Sequence, residues 1–151
     1  HPWYGPDALK RKWCGFEVIE TVRAKANFSI ALPPKSEQDF LNELQKTHVG
    51  STAFFQQCLA SISITSAGTG SKEDGDLLLA WMQSLPGGLS YVDQQISKAV
   101  HNALLSLAIA RANAKEDSEL ADGVGMLLYL RGRSHESLPF FQRSFSIAKR
   151  K

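Results

Sequence analysis

The sequence has no run of about 20 apolar residues, so nothing in it reads as a membrane-spanning helix. It has only two cysteines, Cys14 and Cys58, far apart and neither in a CxxC pair, which removes a zinc or dithiol redox motif. Cys58 lies among apolar residues, where a free thiol behaves as a small hydrophobe. Such sparse cysteine use fits a soluble protein in a reducing, intracellular setting. The four histidines, His1, His48, His101 and His135, include no HExxH pair and no two at helical ligand spacing, so no metal is expected. No nucleophile sits in a GxSxG elbow. The glycine-rich "SAGTGS" lacks the GxxxxGK[ST] pattern, and Lys72 is not where a phosphate-cradling loop needs its lysine. The acidic pairs Glu73-Asp74 and Glu116-Asp117 fall at expected helix starts, where carboxylates are solvated. A non-catalytic chain without cofactor is the expectation, although a helical enzyme needs no linear motif.

Strong net charge is also missing. The balance is +2, too small to imply nucleic acid. Residues 123 to 151 differ from the rest: Arg131, Arg133, Arg143, Lys149, Arg150 and Lys151 face Glu136 alone, a local +5. A nucleic-acid-associated domain is therefore the second reading, with binding that would weaken steeply as salt rises. Cations near a helix C-terminus are, however, favoured by the dipole alone.

What is present is ordinary for a globular protein: 151 residues, 43% hydrophobic and 21% charged. A chain this long buries roughly 70% of its unfolded surface and needs no disulfide or metal staple. One domain spanning residues 1 to 151 is expected. The first residue is His1, so the chain reads as a processed protein or an excised domain. Its opening "HPWYGP" suits either an arm tucked under the helices or a partner-binding segment.

Apolar residues recur at helical steps nearly throughout. Leu9, Trp13, Phe16, Val22 and Ala26 predict a helix over about 7–26. After Pro33-Pro34, Ser36 is the expected N-cap, acids fill the first turn, and Phe40, Leu41 and Leu44 form a buried face. Another helix is expected from Ser51 or Thr52 to about Ile62. Residues 65–75, "TSAGTGSKEDG", read as a flexible internal loop. "DLLLAWMQSLPGG" follows as a short helix. A long helix capped by Ser90 then carries Val92, Ile96, Ala99, Val100, Ala103, Leu104, Leu107 and Ala110, with His101 on its flank. Leu120, Val124, Leu127, Leu128 and the Tyr129 ring mark the next helix. The last runs from about Ser134 to Lys149 with Phe140, Phe141, Phe145 and Ala148 along one side. The fold class is all-α, with six or seven helices.

The stretch "VGMLLYLRGRSHESLPFFQRSFSIA" resembles the second half of a tetratricopeptide repeat. By that resemblance Gly125 takes the helix A glycine and Gly132 the turn glycine. Ser137 and Ser144 replace small alanines of helix B, and Phe141 takes its aromatic position. Ala121 stands where tryptophan is common, Lys149 where a proline ends the repeat, and Pro139 interrupts helix B. One repeat of about 34 residues upstream, Ala103, Leu107 and Ala110 fall at a second helix B. The likeness spans residues 91–148, the alternative being a generic helical bundle. It implies stacked hairpins with a groove that holds a peptide or helix of another protein. Arg131, Arg133, Gln142 and Arg143, polar groups beside the hairpin, are the expected partner contacts.

Overall fold

Six helices form among the described residues, and no strand does: α1 Lys12–Arg23, α2 Pro34–Gln45, α3 Lys72–Ser84, α4 Gly88–Ala114, α5 Ser118–Leu130 and α6 Ser134–Ala148. This is the all-α class that the spacing predicts. The structure is a computed structural model, and it describes residues 10–46 and 63–150. The "HPWYGP" opening, His48, Cys58, Lys151 and the helix expected from Ser51 or Thr52 lie outside the described residues. The chain divides into two compact units. Described residues 10–31 and 63–103 belong to the first, 32–46 and 104–150 to the second.

In the first unit α1 starts later than the periodicity suggests, because Arg11 is extended and bridges Gly68. The Gly68 amide donates to the Lys10 carbonyl at 2.7 Å, and the Lys12 amide donates to the Gly68 carbonyl at 3.0 Å. The Lys12 ammonium reaches the Ala67 carbonyl at 2.5 Å. Ile64 is buried, and its amide donates to Asp93 Oδ1 at 2.8 Å. The stretch expected as a loop over 65–75 is thus tied down at its centre. Its last residues, Lys72–Gly75, form the first turn of α3, where Ser71 Oγ accepts from the Asp74 amide. On the outer side of this unit the Phe16 ring meets Trp81 edge-on at 4.9 Å, with the Arg23 guanidinium over Trp81.

α1 and α5 end in the same way. After α1, the Lys25 amide donates to Val22 and the Ala26 amide to Thr21, with Lys25 left-handed at φ 54°. After α5, the Gly132 amide donates to Tyr129 and the Arg133 amide to Leu128, with Gly132 at φ 73°. Both are Schellman motifs, which favour glycine at the left-handed position. Only α5 has it. Lys25→Gly is therefore expected to raise stability by about 0.5–1 kcal/mol, and Gly132→Ala to lower it by about 1 kcal/mol. Urea unfolding reads both signs. No atom lies within 4 Å of a Cβ built at Gly132, so backbone strain alone is tested there.

In α4 the residues Val92, Ile96, Val100, Leu104, Ala108 and Ala112 are all buried. A row repeating every four residues turns about 40° further round the helix at each step. Leu105, Ala108 and Ala112 are inside, whereas Leu107 is half-buried and Ala110 exposed, contrary to a straight stripe. His101, expected on the flank, is buried. Ser90 lies inside the first turn of α4, not at its cap.

The second unit holds α2, the end of α4, α5 and α6. Phe40, Leu41 and Leu44 of α2 are buried as expected. Ser36 is buried within the first turn; Pro33 occupies the N-cap because Pro34 fits the first helical position. Glu37 receives two bonds from Arg111 of α4, at 2.5 and 3.0 Å. This hydrogen bonding holds the Glu37 carboxyl below its ordinary 4.5 and the Arg111 guanidinium above its ordinary value. A depressed carboxylate adds stability that is complete above its unfolded pKa and lost as pH falls through the folded one. The stability gap between the native chain and Glu37→Gln is expected to be widest near neutral pH and to shrink as pH falls through and below the ordinary carboxylate range. Thermal melts of both chains across pH 3–7 measure it.

Candidate functional site

The helices α5 and α6 pack against each other along the hairpin. Asp117 starts it: Oδ1 accepts from the Leu120 amide at 2.9 Å, and Oδ2 accepts from Gln45 Nε2 of α2 at 2.6 Å. α5 is the most enclosed helix of its unit, with Leu120, Ala121, Val124, Leu127 and Leu128 buried. Gly125 has no room for a side chain. A Cβ there would sit 2.8 Å from Cε1 and 2.9 Å from Cδ1 of Phe141. Ser137 is buried, its Oγ donating to the Ser134 carbonyl at 2.8 Å, and Ser144 is half-buried. α6 runs through Pro139 without ending. That residue is exposed and close to the start of the helix, so its ring and missing amide disturb only the second turn.

The buried side of α6 differs from the expected one. It carries Ser137 and Ile147 with Phe140, Phe141 and Ser144 half-buried, while Phe145 is 62% exposed and Ala148 is exposed. Tyr129, expected inside, is 56% exposed. It continues an outward line on α5: Glu119, Asp122, Met126, then Tyr129 and Leu130, at three- and four-residue steps. Met126 and Leu130 are exposed as well. On α6, Leu138 and Phe145 are exposed two turns apart on one side, and the Lys149 ammonium lies 4.4 Å from the centre of the Phe145 ring. At the end of this surface a cleft of about 530 Å³ opens between Gln45 and Lys46 of α2, Glu119 and Asp122 of α5, and Ser144 and Ala148 of α6.

The four expected partner contacts separate into two groups. Arg131 and Arg133 lie at the α5–α6 turn. Arg131 has its guanidinium pKa lowered by burial and then by repulsion from Arg133. Arg133 donates through Nε and Nη2 to both carboxylate oxygens of Glu136, at 2.7 and 2.6 Å. That bonding raises Arg133 and lowers Glu136. Gln142 and Arg143 lie towards the other end. Gln142 is exposed on the outer side of α6. Arg143 donates to the Lys115 carbonyl at 2.9 Å and to Asn113 Oδ1 at 3.3 Å, so it satisfies acceptors at the end of α4. Arg150 pairs with Glu116 at 3.6 Å.

The apolar line Met126–Leu130 was not read as a surface from sequence. Its signal is "MLLYL": five large apolar residues in succession encircle a helix, more than a single buried face can hold. Among the described residues no three His, Cys, Asp or Glu side chains are placed to hold a metal ion, and no helix is long and apolar enough to cross a membrane. No family model, curated protein or solved structure matches the chain.

Proposed function

We propose that this chain is a non-catalytic protein-binding module, and that the α5–α6 hairpin of its second unit takes a peptide or helix from a partner protein. The observation that carries this reading is the outward row Met126, Tyr129 and Leu130, a large apolar surface on an otherwise well-buried helix. Exposed apolar surface of this kind marks interaction sites, and tyrosine is enriched in their energetic centres. The tetratricopeptide-like reading of the hairpin is supported by the Phe141 ring against Gly125 and by Gly132 at the end of α5. Arg131 and Arg133 border the apolar row at the turn. Arg143 positions the end of α4 and contributes indirectly.

Selection of a displayed peptide library on the full chain tests the proposal, followed by amide-shift mapping with the enriched peptides. Shifts centred on Met126, Tyr129 and Leu130 are expected. Failure to enrich any peptide, or shifts confined to the first unit, would overturn it.

A further inference from the structure

The outward row of α5 begins with two carboxylates. Glu119 is exposed and Asp122 half-buried, and they stand on the same side as the exposed Met126, Tyr129 and Leu130. All five lie within α5 at three- and four-residue steps, inside an arc of about 100°. Among the described residues neither carboxylate has a hydrogen-bond or ion-pair partner. Both line the cleft of about 530 Å³, with the Ser118 and Ser144 side chains beside them. Lys46, the cation on its wall, is bonded to Glu43 at 2.6 Å, so the two carboxylates stay uncompensated. The helix dipole accounts for Glu119, in the first turn. It does not account for Asp122, which lies beyond that turn and is of a type the helix interior disfavours. α5 itself holds no cation. Past its end Arg133 is held by Glu136, and Arg131 has an interaction of its own. The charge left open along the row is therefore negative. We infer that the partner segment is a basic amphipathic helix, with a lysine or arginine in the cleft against Glu119 and Asp122 and large apolar side chains over Met126, Tyr129 and Leu130.

An ammonium or guanidinium suits this wall chemically. It donates several hydrogen bonds, and the carboxylates and serine hydroxyls accept them. Added strands need a free sheet edge, and the described residues contain no sheet, so helix-against-helix packing is the available mode. The spacing along α5 then sets the partner's pattern. Met126 lies four residues from Asp122, about 6 Å along the axis, and Tyr129 and Leu130 lie seven and eight residues away, about 11–12 Å. A helix lying alongside places its cation one turn from one large apolar residue and two turns from another. Whether the cation comes first or last in that pattern gives the direction of docking. Charges at the border of an apolar contact set partner choice and association rate. This partner class uses the surface assigned under the proposed function, and so rests on that reading.

Selection from one displayed peptide library on three full-length chains tests this: the native chain, Glu119→Lys with Asp122→Lys, and the near-isosteric Glu119→Gln with Asp122→Asn. Peptides from the native chain are expected to carry lysine or arginine one turn from a large apolar residue. The charge-reversed chain should keep the apolar preference and select glutamate or aspartate in that place, which also shows that it is folded. The neutral chain should keep the apolar preference and lose the basic one. In calorimetric titration, exchanging the cation of the tightest native-selected peptide for glutamate should weaken binding to the native chain at least about tenfold and strengthen binding to the charge-reversed chain. Peptides that shift the amides of Met126, Tyr129 and Leu130 without a basic excess, or that bind all three chains equally, overturn the inference and leave the module standing. A library that enriches nothing on the native chain overturns both.

Discussion

Gly125→Val is expected to lower stability by about 2 kcal/mol in the native chain, and by much less where Phe141 is already alanine. A Cβ at Gly125 meets the ring edge of Phe141 at 2.8 Å, well inside van der Waals contact, and valine adds two methyl groups to the clash. Leaving glycine gains helix propensity, but only a few tenths of a kcal/mol for a β-branched residue. The clash therefore wins. Phe141 alone, cut to alanine, loses the packing of a half-buried ring. If the close approach of α5 and α6 depends on this contact, the double variant is more stable than the sum of the singles by about 1–2 kcal/mol. Chemical denaturation of the four chains gives the coupling directly. Additive losses would mean that the ring swings aside freely, and that the hairpin spacing is set elsewhere.

The contact between Gly125 and Phe141 also shows where the sequence was informative. Close approach at Gly125 was expected only through the resemblance, with Ser137 opposite it, and the group that meets Gly125 in the structure is the Phe141 ring. At Gly132 two otherwise unpaired carbonyls of the last turn of α5 accept amides from beyond the helix, which leaves a left-handed residue there. Helical spacing found the inner side of α2, because that helix has one narrow apolar face. In α4 it found the buried Val92, Ile96, Val100, Ala103 and Leu104, but it put Ala110 inside and passed over Leu105, Ala108 and Ala112. It also placed Tyr129 and Phe145 inside. Periodicity counts apolar residues without knowing how many neighbours exist to cover them, and α5 and α6 carry a surplus. Arg143 illustrates the reverse error. As a cation beside the hairpin it looked available to a partner, but its nearest acceptors are carbonyls and an amide oxygen at the end of α4, brought close only by tertiary packing.

That surplus of apolar surface can be removed without touching the core. Tyr129→Gln with Leu130→Gln is expected to leave stability within about 0.5 kcal/mol of the native chain. Both side chains are 56% exposed, and glutamine keeps the helix propensity that a β-branched or small polar residue would lose. Folding covers less than half of either side chain, and the stem of glutamine keeps part of that contact, so little burial is forfeited. Binding is different. A peptide selected on the hairpin would cover both side chains, and losing a tyrosine and a leucine from the centre of an interface lowers affinity by about 100-fold. Calorimetric titration with the tightest selected peptide, beside urea unfolding of the same variant, separates the two quantities. Unchanged stability with lost binding is the signature of side chains kept outward for a partner. If stability falls by as much as binding does, Tyr129 and Leu130 are part of the packing of the unit, and the peptide has no surface there to occupy.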